Sequence, residues 1–166
     1  MMEILSAIIG ALIGSITSAF FTLYYSLWEQ KRRRQLETTM SLYQEFHSSN
    51  MINNRIKTDS LLKQKITNNI SYMELYDELS IEDWLPISSL LHFFEKISTY
   101  HENGYLDNKL VKAFFSTYFS YYYDTFLKKM NEISKQKSEK EHIILAVDEL
   151  SGWLYNSNEK IYSKIK

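Results

Sequence analysis

The feature that most constrains the fold is an uncharged stretch at the start of the chain. No residue from Ile4 to Trp28 is charged, and a basic cluster, Lys31–Arg34, follows almost at once. A helix of about 20 apolar residues crosses the roughly 30 Å hydrocarbon core of a bilayer, and basic residues concentrate on the cytoplasmic side. The sequence therefore predicts one transmembrane helix over residues 4–28 and a cytoplasmic domain over residues 29–166.

A cleaved signal peptide is the alternative for this segment. Such a peptide carries positive charge before its apolar core, whereas here Glu3 precedes the stretch and the basic cluster follows it. Aromatic residues are enriched at membrane interfaces, and Tyr24 and Tyr25 lie near the end of the stretch. We therefore expect a retained single-pass anchor in the inner (cytoplasmic) membrane, with the N-terminus outside. The residues expected at the cytoplasmic interface are Trp28, Lys31, Arg32, Arg33 and Arg34.

The predicted anchor divides into two unequal faces. At about 100° per residue, its large apolar side chains occupy a narrow arc, and small or hydroxylated residues fill most of the rest. Small residues allow helices in a membrane to approach closely. This pattern predicts a homo-oligomer. The residues expected to pack between helices are Ser6, Ala7, Gly10, Ala11, Gly14 and Ser18.

The width of the small, polar face favours a ring of helices over a dimer. One narrow stripe is enough for a dimer, but a helix in a ring contacts a neighbour on each flank and faces a lumen between them. The residues expected to face such a pore are Ser6, Thr17, Ser18 and Thr22. The alternative is that these hydroxyls bond back to carbonyls of their own helix, which helices tolerate.

The remaining residues predict an all-α cytoplasmic bundle. The chain has only 4 Gly and 1 Pro, which favours long helices. The anchor is expected to continue as one helix to Phe46 and to break at residues 48–50. Capping residues predict further helix starts at Ser71, Ser80, Asp107 and Ser138. Pro86 is expected in the first turn of its helix, and residues 103–104 are expected to end that helix.

The sequence contains no recognisable catalytic, metal or cofactor site. Cysteine is absent, and none of His47, His92, His101 and His142 has a partner at a recognised metal-ligand spacing. The pair His92 and Glu95 is interpreted as a helix-stabilising contact. With a net charge of -1, direct binding of nucleic acid is not expected. Attraction to anionic lipid explains the basic cluster more simply.

Several segments together resemble a known group of proteins. They are residues 45–51, Arg55, residues 84–86, residues 91–95 and residues 104–107, all behind an N-terminal anchor. The layout resembles small bacterial membrane-anchored helical proteins of prophage and defence genes. It is similar to that of the membrane-pore accessory proteins of RNA-targeting type VI-B CRISPR systems. The resemblance implies a homo-oligomeric ring that depolarises the membrane during antiphage defence, with an RNA-guided nuclease or other defence protein as an indirect partner.

Three hypotheses for function remain open from the sequence. The first is a homo-oligomeric membrane pore or channel-like effector. The second is a membrane-tethered adaptor whose bundle recruits a cytoplasmic protein. The third is a ribonuclease-like enzyme; it ranks last because no arginine precedes a histidine at the spacing of the helical ribonuclease motif.

Overall fold

The computed structural model describes residues 2–65, 70–139 and 142–155, and side chains within these ranges except those of residues 2–9, 11 and 155. The described part is helical and contains no strand, so the predicted all-α class is confirmed. Two short π-helical segments, Tyr123–Leu127 and Ser151–Tyr155, follow α5 and α7. The helices are α1 (Met2–Phe46), α2 (Ser49–Lys65), α3 (Tyr72–Glu78), α4 (Ile81–Glu102), α5 (Asn108–Tyr122), α6 (Lys128–Gln136) and α7 (His142–Leu150).

Helix α1 is one unbroken element of 45 residues. The predicted continuation of the N-terminal helix to Phe46 is therefore confirmed. The chain then breaks at residues 47–48, and the Ser48 hydroxyl accepts a hydrogen bond from the backbone N–H of Met51 at 3.3 Å. This side chain satisfies a free donor in the first turn of α2.

At two of the predicted helix starts, Ser71 and Ser80, an acidic residue three positions later predicts a reciprocal capping box. Ser71 accepts from the N–H of Glu74 at 3.3 Å, and the Glu74 carboxylate accepts from the N–H of Ser71 at 3.0 Å. This box is reciprocal, as predicted. Ser80 also accepts from the N–H of Asp83, but the shorter Asp83 carboxylate accepts from the Ser80 hydroxyl instead. Ser80 therefore caps α4 without a reciprocal box.

The position of Pro86 differs from the prediction. Because α4 begins at Ile81, Pro86 lies in its second turn and not in the first. An N–H at this position would bond to the carbonyl of Glu82, so the helix loses one internal hydrogen bond here. The Ser80 cap fixes the start of α4 one turn earlier than Pro86 alone indicates.

Two helices end in the same hydrogen-bonded motif. After α4, Gly104 adopts a φ of +67° and the N–H of Tyr105 donates to the carbonyl of Tyr100 at 2.9 Å. After α6, Ser138 adopts a φ of +58° and the N–H of Glu139 donates to the carbonyl of Ser134 at 3.0 Å. Both are Schellman motifs. The predicted stop at Gly104 is confirmed. Ser138 lies at the end of α6, and its predicted role as the cap of α7 depends on residues 140–141, which lie outside the described residues.

The bundle surrounds a core rich in aromatic residues. Helix α4 packs against α2 and α7, and the ring of Phe93 on α4 stacks on that of Phe46 on α1. Lys96 of α4 binds Glu45 of α1 at 2.7 Å, and Tyr43 of α1 lies 4.6 Å from Phe114 of α5, measured between ring centroids. Helix α5, the first π-helical segment and α6 follow one another without a break. The largest fully buried side chains include Phe46, Tyr72, Phe93, Phe94, Phe115 and Phe119.

Candidate functional site

Residues 12–25 of α1 do not pack on the rest of the chain that the structure describes. We call residues 10–34 the arm. Every side chain from residue 12 to residue 25 is exposed, and Ile16 and Phe20 each expose 68% of their surface. The exposed large side chains of the arm are Leu12, Ile13, Ile16, Phe20, Phe21, Leu23, Tyr24, Tyr25, Leu27 and Trp28.

The small residues predicted to pack between helices lie only partly within the described side chains. Those of Ser6, Ala7 and Ala11 are outside them. Gly10 and Gly14 are exposed, and a Cβ atom added at either position would meet nothing within 4 Å. Packing within the chain therefore does not explain the small size of these two residues.

Two of the four hydroxyls predicted to face a pore, those of Thr17 and Thr22, bond within their own helix; the side chain of Ser6 lies outside the described ones. Thr17 donates to the carbonyl of Ile13 at 2.7 Å, and Thr22 donates to the carbonyl of Ser18 at 2.9 Å. This is the alternative that the sequence left open for Thr17 and Thr22. Both side chains and that of Ser18 are exposed, and a hydroxyl oxygen that donates can still accept hydrogen bonds.

In the described part of the chain, no helix combines the length and the apolar character needed to cross a membrane. The predicted span of residues 4–28 begins among residues whose side chains are not described.

The predicted interface residues lie together at the base of the arm. We call Lys31–Arg34 the basic collar; all four of its side chains are exposed, as is Trp28. The Arg32 guanidinium lies 5.6 Å from the centroid of the Trp28 ring. Arg33 pairs with Glu29 at 2.8 Å. Two turns of helix thus hold an aromatic ring and the cationic collar next to each other.

Below the collar, α1 is fixed to the loop between α4 and α5. The Gln35 side-chain amide donates to the carbonyl of Gly104 at 2.9 Å, and the N–H of Asp107 donates to the buried Thr39 hydroxyl at 3.0 Å. Thr39 in turn donates to the carbonyl of Gln35. Two clefts of about 420 and 450 Å³ lie between the collar and this loop, and Lys31 lines both.

A second cleft region, between α2 and α5, was not identified from the sequence. Its volume is about 590 Å³. The Arg55 guanidinium lies 4.1 Å from the centroid of Phe46 and 5.2 Å from that of Tyr118. The spacing of Asp59 and Lys63 indicates their ion pair, but nothing in the sequence places Tyr121 beside them, 58 residues beyond Lys63.

Charges in the α2–α5 cleft are strongly coupled. Burial raises the pKa of Asp59, but hydrogen bonds from Lys63 and Tyr121 outweigh it and the net shift is downward. The hydrogen bond to Asp59 raises the pKa of both Lys63 and Tyr121. Burial raises the pKa of neighbouring Tyr122 to about 12. Each shift moves the titration of its group further from neutral pH, where all four groups already have their ordinary charge.

The histidines make local contacts. His92 Nδ1 lies 3.0 Å from Glu95 on the same helix face, as predicted for a helix-stabilising pair. His101 Nδ1 lies 2.8 Å from Glu149, and its ring stacks on Trp153 with centroids 3.6 Å apart. Among the residues that the structure describes, no three His, Asp or Glu side chains form a group able to hold a metal ion.

Comparison with known proteins identifies a family. No curated protein and no solved structure matches the chain. The family described as Domain of unknown function (DUF4760) matches residues 9–144. The match therefore includes both the arm and most of the bundle. Since it covers most of the 166 residues, the chain belongs to the DUF4760 family.

Proposed function

We propose that the protein is a membrane-anchored homo-oligomer whose arms form a pore or channel. The observation that supports this proposal is the exposure of the arm. Burying one large apolar side chain contributes about 1.5–3 kcal/mol, and ten large apolar or aromatic side chains of the arm are exposed. Lipid and neighbouring copies of the arm together bury the apolar side chains that the bundle leaves exposed.

The ends of the arm support an orientation in the inner membrane. The basic collar stands on the bundle side, next to Trp28. By the positive-inside rule, the collar and the bundle lie in the cytoplasm and the N-terminus lies outside. The collar also attracts anionic lipid, with about 1 kcal/mol per basic residue near the surface.

The small face of the arm supports self-association into a ring. Gly10 and Gly14 have open space around them, so another helix can approach the backbone there closely. Thr17, Ser18 and Thr22 are the described candidates for the lumen. A role in antiphage defence by depolarisation, with an RNA-guided nuclease as an indirect partner, is supported by the resemblance of the sequence to defence-associated pore proteins.

The test replaces Gly10 and Gly14 together with Leu. The mass of the detergent-solubilised complex and the leakage of dye from reconstituted vesicles are measured. We expect the wild type to form a complex larger than a dimer and to release dye, and the variant to lose both properties because Leu blocks close approach.

The matched control adds bulk to the large apolar arc through Leu12→Phe and Ile16→Phe, and we expect it to keep assembly and leakage. A wild-type complex with the mass of a monomer or dimer would contradict the ring. Full leakage from the glycine variant would contradict the assignment of its interface.

A second candidate function is a membrane-tethered adaptor. The α2–α5 cleft favours it, because Ile56 exposes 64% of its surface and Tyr118 and Tyr121 stand beside it. An adaptor would release no dye from vesicles. Its partner would still be recruited after the double replacement of Gly10 and Gly14, which separates it from a pore.

A further inference from the structure

We propose that the cleft between the basic collar and the start of α5 binds the phosphate headgroup of an anionic phospholipid. This inference deepens the proposed membrane anchoring and rests on it. The cleft of about 450 Å³ lies between α1 and α5. We call it the collar cleft. Its lining residues include Trp28, Lys31, Arg32, Gln35, Asp107 and Lys109.

The charge of the collar cleft suits a phosphate group. Lys31 and Arg32 enter from α1, and Lys109 enters from α5. One carboxylate, that of Asp107, opposes these three cations, and it already accepts from the N–H groups of Lys109 and Leu110 at 3.0 and 3.2 Å. The net positive charge of the cleft therefore remains available to an anion.

The collar cleft is held in shape by the contacts beneath it. Gln35 and Thr39 bind the α4–α5 loop through hydrogen bonds of 2.9 and 3.0 Å, and these bonds fix α5 relative to α1. Arg32 is restrained by its position over Trp28. Because Arg32 is already positioned, it loses less conformational entropy when a ligand binds.

The location of the collar cleft points to lipid and not to a free anion. Trp28, which lines it, ends the apolar part of the arm, and at about 100° per residue Phe21 and Tyr24 share its helix face. Acyl chains attached to a bound headgroup can therefore continue along these two exposed side chains. Inorganic phosphate uses the cations but gains nothing from this apolar surface. We therefore expect a phospholipid headgroup with its acyl chains to bind more tightly than inorganic phosphate, although both offer the same phosphate group to the cations.

Lys109 provides the sharpest test, because it lies far from the arm in sequence and contributes nothing to the topology signal of the collar. Full-length protein is reconstituted in nanodiscs of equal parts phosphatidylglycerol and phosphatidylcholine. The ratio of the two lipids retained on the released protein is then measured by native mass spectrometry. We expect the wild type to prefer phosphatidylglycerol, and Lys109→Glu to lower that preference about five-fold or more.

The matched control is Lys57→Glu, which reverses one exposed charge on α2 and should leave the preference unchanged. An equal loss in both variants, or none in Lys109→Glu, would overturn the proposed site. The site would also be overturned if inorganic phosphate protected the lipid-free wild-type protein against thermal unfolding as effectively as phosphatidylglycerol does.

The failure of membrane anchoring is a different result. Protein that does not float with vesicles of either composition would overturn the anchoring and this site together. If the protein floats with vesicles and makes them release dye, but Lys109→Glu leaves the lipid preference unchanged, only the proposed headgroup site is overturned.

Discussion

At the scale of single residues, the two helix ends with positive φ form a natural comparison. Gly104 adopts φ +67° without cost, whereas Ser138 adopts φ +58° with a Cβ atom. That conformation costs a non-glycine residue roughly 1 kcal/mol. We expect Ser138→Gly to raise the free energy of unfolding by about 1 kcal/mol and Gly104→Ala to lower it by about the same amount. Both changes are measured by thermal unfolding in detergent, monitored by circular dichroism. A loss of stability in Ser138→Gly would contradict the proposed backbone strain at Ser138.

Tyr122 makes stability depend on alkaline pH. Its pKa rises from an ordinary value of 10.0 to about 12 because the side chain is buried. The folded protein therefore holds this proton more tightly than the unfolded chain. The contribution of the protonated Tyr122 hydroxyl to the free energy of unfolding is fully present below pH 10. It is lost as the pH rises towards 12, by up to about 2–3 kcal/mol. We expect Tyr122→Phe to lose less stability than the wild type between pH 9 and pH 11.5; parallel losses would show that Tyr122 is not responsible.

At the scale of elements, the end of α1 is a central part of the core. Phe46 is fully buried, its ring lies 4.9 Å from that of Phe93, and Arg55 covers its face at 4.1 Å. We expect Phe46→Ala to lower the free energy of unfolding by about 3–5 kcal/mol. Leu36→Ala, on the same helix but 44% exposed, serves as the control and should cost far less. Urea unfolding monitored by tryptophan fluorescence checks this; equal effects would contradict the assigned role of Phe46.

Local chemistry made several helix boundaries predictable. Ser71, Asp107 and Gly104 each act within a few residues of their own position, so their caps are visible in sequence. The first π-helical segment is different, because packing of neighbouring helices decides where a helix tolerates a shifted hydrogen bond. The positive φ of Ser138 was not predicted either. A serine is a common N-cap and an unusual residue at positive φ.

At the scale of the whole molecule, the helical course of the arm was predictable and the clefts beside α1 and α2 were not. An uncharged stretch followed by basic residues is a local pattern. The collar cleft and the α2–α5 cleft instead join segments about 60 to 80 residues apart. Lys31 meets Lys109, and Asp59 meets Tyr121, only once the helices are packed. A single sequence carries no periodicity that relates such distant positions.

The unbroken course of α1 has a mechanical consequence. From Ser15 to Phe46 the helix contains neither proline nor glycine, the residues at which helices usually kink. At 1.5 Å per residue, Phe46 lies about 54 Å from residue 10. Because no such kink site separates them, the helix keeps the Gly10–Gly14 surface at a nearly constant distance from the aromatic rings around Phe46.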